Sequence, residues 1–132
     1  MILNIISQLP DGFTDLGVRE LHKVLGGPTL IHLRSGNSKP PLYLSTLLHG
    51  NETSSHSVLN QFLKRNMPLE RDLIIFIGNT LAAEQGVRHL PGQVDFNRIW
   101  EIGDLPEHKI AKQVIDYARE FSPYASIDLH NN

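Results

Sequence analysis

The sequence predicts an α/β fold with strands joined by helices, and three apolar runs predict it. Residues 42–48 and 73–77 are short, continuous apolar stretches of strand length. Pro40-Pro41 precedes the first, and Gly78-Asn79 follows the second. Between them, Thr53-Ser54-Ser55 makes a polar helix start, and Val58, Leu59, Phe62 and Leu63 form an apolar stripe at helical spacing. A strand–helix–strand unit of this kind makes its two strands parallel and covers both faces of the sheet. A second helical stripe, Ile110, Val114, Tyr117/Ala118 and Phe121, leads into a third core strand at residues 125–129.

Leu16, Leu21, Val24 and Leu25 form one face of a short helix that Gly26-Gly27 ends. Residues 29–34 alternate apolar and polar side chains, as a half-buried strand does. Residues 35–40 then turn the chain into the strand at 42–48, so these two strands are expected to pair antiparallel. The helix after Glu52 runs to about Asn66-Met67-Pro68. Asn79 and Thr80 cap a short helical stretch at 81–87. Residues 88–103 lack periodicity but are dense in polar groups. Asp104-Leu105-Pro106-Glu107 reads as the next helix start, with a capping Asp and a Glu three residues later.

Composition narrows the function classes. The 132 residues form one domain of ordinary size, and a net charge of -2 argues against nucleic acid or an acidic membrane surface as partner. There is no cysteine, so a metal would be held by His and carboxylate alone. No run is long enough to cross a membrane, and the first residues lack a signal-peptide pattern, so a cytoplasmic protein is expected.

The chemistry gathers at strand ends. His49 and Glu52 directly follow the first strand, with Gly50 between them to let the chain turn. Strand ends followed by a sharp turn and a helix are where open α/β sheets place their sites. His130 ends the third strand in the same way. If the two strands are parallel neighbours, both imidazoles meet Glu52 at one edge. Two His and one Glu, with a fourth position open, is the layout of a catalytic zinc site. Asp128 lies two residues before His130, on the same strand face, where it can fix the imidazole's orientation. His22 and His32 read as surface and structural residues, His56, His89 and His108 as surface residues or residues supporting the site, and Trp100 as core.

Three ordered motifs now resemble those of the succinylglutamate desuccinylase/aspartoacylase family, within the wider zinc-carboxypeptidase superfamily. They are His49-Gly50-Asn51-Glu52, Asp95-Phe96-Asn97-Arg98 and Asp128-Leu129-His130-Asn131. The resemblance implies a three-layer α/β/α fold with a mixed, mainly parallel central sheet. It implies one Zn(2+) per chain, held by His49, Glu52 and His130, and hydrolysis of an amide, often of an N-acyl amino acid, by zinc-activated water. By motif position, Asn97 and Arg98 would grip a substrate carboxylate, and Arg88 would polarise the scissile carbonyl. Physical chemistry supports these assignments, since a guanidinium binds a carboxylate through paired N–H bonds and another can stabilise a developing oxyanion.

One departure stands beside the matches. The family's proton-accepting Glu lies well beyond the last motif, so the general base is expected beyond Asn132. Glu101, Asp104 and Glu107 follow Arg98 too closely, and Asp95 belongs to the substrate loop. The chain therefore reads as the N-terminal part of a zinc-hydrolase domain, apparently truncated. Its expected partners are a small molecule bearing a carboxylate and either a C-terminal fragment or further copies of itself. A zinc carboxypeptidase acting on peptides and a non-catalytic metal- or partner-binding module are the alternatives.

Overall fold

A computed structural model describes residues 1–131. In chain order the elements are β1 (Asn4–Ile6), α1 (Leu21–Leu25), β2 (Thr29–Leu33), β3 (Leu42–Thr46), α2 (Thr53–Lys64), β4 (Leu73–Ile77), α3 (Thr80–Gln85), α4 (Pro106–Glu120) and β5 (Ala125–Asp128). The strands form one five-stranded sheet in the order β1-β2-β4-β3-β5. Among the described residues only the β2–β4 pair is antiparallel; β1–β2, β3–β4 and β3–β5 are parallel.

Alternation along β4 explains the layers. Ile74 and Phe76 point to one face, where they pack with Ile110, Ala111, Val114 and Ala118 of α4. Leu73, Ile75 and Ile77 point to the other, where Leu21 and Leu25 of α1 and Leu59 of α2 cover them. A strand buried on both faces reads as a continuous apolar run, which is why β4 shows no polar alternation. Helices thus lie on both sides of a mixed, mainly parallel sheet, the three-layer architecture the resemblance implies.

The structure corrects several expectations from the sequence. β2 and β3 do not pair with each other, because β4 lies between them and bonds to both. Residues 34–41 only have to cross one strand's width, about 10 Å, which a loop of that length does easily. β5 is an edge strand rather than a core strand. It pairs with β3 alone, and Ile127 is 41% exposed.

The buried face of α2 also runs elsewhere than expected. Ser55, His56, Leu59 and Asn60 are buried, while Val58 and Phe62 are 58% and 49% exposed. The polar members of that face have partners. Ser55 Oγ meets Thr46 Oγ1 at 2.9 Å, and Asn60 Nδ2 donates to the Leu16 carbonyl at 3.1 Å. His56, expected at the surface or supporting the site, is instead a core residue packed edge-on against Phe13.

Helix ends follow local chemistry. Asn79 Oδ1 accepts from Ala82 N and caps α3 as expected. Asp104 does not cap α4: that helix begins at Pro106, with Leu105 at the cap and no side-chain bond there. Proline suits the first helical position because its missing N–H would have had no partner anyway. Gly26, with φ 78°, closes α1 in the left-handed region. Among the described residues, no helix is long and apolar enough to cross a membrane.

Candidate metal centre

The parallel strands β3, β4 and β5 end at the same edge, and backbone bonds carry their pairing past the regular strands. Gly78 N donates to Thr46 O at 3.0 Å, Asn79 N to Leu47 O at 2.7 Å, and Leu129 N to Ser45 O at 2.9 Å. His49 and His130 therefore emerge side by side, their ring centroids 5.6 Å apart. Gly50 serves this turn by its size. Its φ lies outside the left-handed region, but a Cβ there would stand 2.3 Å from Ala83 N and 2.6 Å from Val87 O. The end of α3 thus packs directly on the His49 turn, and Gly50 N donates to Arg88 O at 3.0 Å.

Both imidazoles address one carboxylate. His49 Nδ1 lies 2.8 Å from Glu52 Oε1, and His130 Nδ1 lies 2.9 Å from Glu52 Oε2. One candidate ligand atom from each of the three residues lies within 4.8 Å of the others. His49 is buried, and the His130 side chain is 31% exposed, so the group opens on its His130 side. Burial pushes the Glu52 carboxyl upward, but hydrogen bonds and charge from His49 and His130 outweigh it and hold the group below its ordinary value.

Asp95 completes the arrangement. Its Oδ1 lies 2.8 Å from His49 Nε2 and accepts from Asn97 N, also at 2.8 Å; its Oδ2 accepts from Arg88 Nη2 at 3.2 Å. Burial raises this carboxyl too, and the N–H of Asn97 with His49 and Arg88 brings it below the usual range. His49 therefore faces a carboxylate at each ring nitrogen. A neutral imidazole has a single N–H and cannot donate to both. A cation at Nδ1, with the N–H at Nε2 given to Asp95, satisfies both sides, so the donor set fits a divalent metal. An imidazole–carboxylate–imidazole set suits zinc.

Arg88 reaches the group through Asp95, and its side chain is 57% exposed. Asn97 is half-buried and Arg98 exposed, on the single helical turn Phe96–Arg98. The fully buried Phe96 and Ile99 anchor that turn in the core. Among the hydrogen bonds of the described residues, Asp128 is not joined to His130. Ser45 Oγ donates to Asp128 instead, and His130 Nδ1 is occupied by Glu52. Sequence reasoning assigned Asp95 to the substrate loop, and so missed its position between His49 and Arg88. An acidic residue immediately before the Phe-Asn-Arg turn was the available signal.

Fold and site define an α/β protein with a candidate divalent-metal centre at the shared end of its parallel strands. Residues 38–132 match the family model described as the succinylglutamate desuccinylase/aspartoacylase catalytic domain. The chain belongs to that family, a family of hydrolases. The crystal structure of a succinylglutamate desuccinylase from Vibrio cholerae superposes with a TM-score of 0.57 at 19% identity, over 70% of this chain and 31% of that one. The similarity at this identity concerns the fold, and the chain spans about a third of that enzyme's length. No curated protein matches the chain.

Proposed function

We propose that the chain carries the metal-binding part of a zinc-dependent hydrolase that cleaves the amide bond of an N-acyl amino acid. The observation that carries this reading is the convergence of His49, Glu52 and His130, with Arg88 tied to the same carboxylate that meets His49. Bound there, zinc would supply a Lewis acid and lower the pKa of a water towards about 7. Arg88 would stabilise negative charge developing on the carbonyl oxygen, since its guanidinium keeps its proton. Arg98 is exposed, and in this reading its guanidinium takes a substrate carboxylate through paired N–H bonds, with Asn97 beside it. Asp95 orients both Arg88 and the turn that bears Asn97. The reading also calls for a carboxylate base; the chain spans about a third of the Vibrio cholerae enzyme's length, and further polypeptide, in cis or as a separate fragment, would be its source.

The test is metal analysis followed by hydrolysis of a panel of N-acyl amino acids, C-terminal peptides and activated esters. This chain and a longer form extended at its C-terminus should both bind one zinc ion. The longer form should cleave acyl amino acids, and the chain alone should do so about 10²- to 10⁴-fold more slowly. Arg98→Ala in the longer form should cost on the order of 2–4 kcal/mol in kcat/KM towards acyl amino acids. An equal, small change for anionic and neutral substrates would remove Arg98 from the reading. Absence of zinc from the parent protein would remove the reading itself.

A further inference from the structure

We propose that Ser45 and Thr46, the last two residues of β3, are positioning residues that seat His130 and Glu52 against each other. The proposal rests on the reading that His49, Glu52 and His130 hold the ion. Its starting observation is that His130 follows a strand with little to hold it. β5 has four residues, pairs on one side only, and is exposed at Ser126, Ile127 and Asp128. Leu129 is only partly buried against the α2-side core.

Polar contacts supply what packing does not. Ser45 is fully buried and grips β5 with both of its oxygens. Its carbonyl accepts from Leu129 N at 2.9 Å, and its hydroxyl donates to Asp128 Oδ1. Beyond the histidine, Ser54 Oγ donates to Asn131 Oδ1 at 2.6 Å. His130 is thus fastened on both sides.

Thr46 points to the opposite face of the sheet. Its hydroxyl meets Ser55 Oγ at 2.9 Å, and Ser55 Oγ donates to the Glu52 carbonyl at 3.0 Å. The bond from Ser55 ties the first turn of α2 to the Glu52 backbone, and the Glu52 side chain makes no cap bond but meets the two histidines instead. Adjacent hydroxyls on one strand therefore locate the two ligands, one on each face. This accounts for two hydroxyl residues inside an otherwise apolar run, since a buried hydroxyl is unfavourable unless it is bonded.

The experiment compares Ser45→Ala, Thr46→Val, the conservative Thr46→Ser and Asp128→Ala with the parent. Zinc affinity is read by chelator competition, and the ring-nitrogen signals of His130 and His49 are read by NMR in metal-free protein. Ser45→Ala, Thr46→Val and Asp128→Ala should each weaken zinc about 10-fold or more. They should also shift the metal-free His130 signal away from its Glu52-bonded position, and Thr46→Ser should behave as the parent. Folded Ser45→Ala and Thr46→Val proteins with parental affinity and parental ring signals would overturn the proposal. If Ser45→Ala fails to fold, Asp128→Ala decides the Ser45 arm, because it removes the same bond from an exposed residue. If the parent binds no zinc, the proposed function fails, while the metal-free ring signals still decide whether these hydroxyls seat the ligands.

Discussion

Asp95 distributes two oxygens among three donors: a ring nitrogen of His49, the Asn97 amide and the Arg88 guanidinium. A carboxylate behind a metal-binding imidazole fixes the ring and raises its basicity, and losing one typically costs 10- to 100-fold in affinity. Asp95→Ala should therefore bind zinc about 10- to 100-fold more weakly by calorimetry, and unchanged affinity would exclude this role. Leu47 presents a different single-residue problem. It sits at φ 54°, in the left-handed region, yet is fully buried two residues before His49. That conformation costs a non-glycine residue about 1–2 kcal/mol, whereas truncating a buried leucine to a small residue costs about 2–5 kcal/mol. Leu47→Gly should therefore destabilise the fold in urea titrations despite relieving the strain. A gain in stability would show that strain dominates at this position.

At the level of elements, the end of the sheet away from the metal centre is tied by a buried polar knot. His32 of β2 lies 2.8 Å from Asp72 Oδ2, just before β4, and 2.8 Å from the Tyr117 hydroxyl of α4; Phe121 packs edge-on 4.7 Å from its ring. Asp72 also accepts from the Ser35 amide at 2.7 Å and from its hydroxyl at 2.9 Å. Burial raises the Asp72 carboxyl, but the bonds from Ser35 and His32 prevail and hold it below the ordinary value. A carboxyl lowered in the folded state stabilises fully above its unfolded pKa, near 3.9, and this contribution is lost as pH falls through the lower folded value. Metal-free protein should therefore lose stability below about pH 4, and Asp72→Asn should flatten that slope between pH 5 and pH 3 in urea melts. The same slope in the mutant would place the acid sensitivity elsewhere.

For the whole molecule, the candidate centre joins parts that are remote in sequence. His49 and Glu52 follow β3, while His130 follows the exposed edge strand β5. An ion held by all three would cross-link that edge to the middle of the sheet. A ligand that binds only the folded state stabilises it by mass action, by about 2.7 kcal/mol at a free concentration 100 times its Kd. Zinc should thus raise Tm, and a chelator should return it. The rise should vanish in His130→Ala, and a rise that survived this substitution would point to binding at other residues.

Most element types were legible in the sequence, because they follow from local periodicity, while β1 and the turn at Phe96–Arg98 were not. The apolar run of β4, the stripe of α4 and the asparagine cap of α3 are each legible within a few residues. The His-x-x-Glu turn and the strand-end His130 were legible for the same reason, as ligand types at element ends. What depends on neighbours came from the packed chain alone. An apolar run does not state which strands flank it, so the insertion of β4 between β2 and β3 could not be read locally. The buried face of α2 carries Ser55 and Asn60, bonded to Thr46 and Leu16, while the more apolar Val58 and Phe62 stay exposed, and no local pattern states which face the neighbours will cover. The partners of Asp95 and Asp128 were decided in the same way. A carboxylate bonds to whatever donor the fold brings within about 3 Å, and that distance is a property of the packed chain.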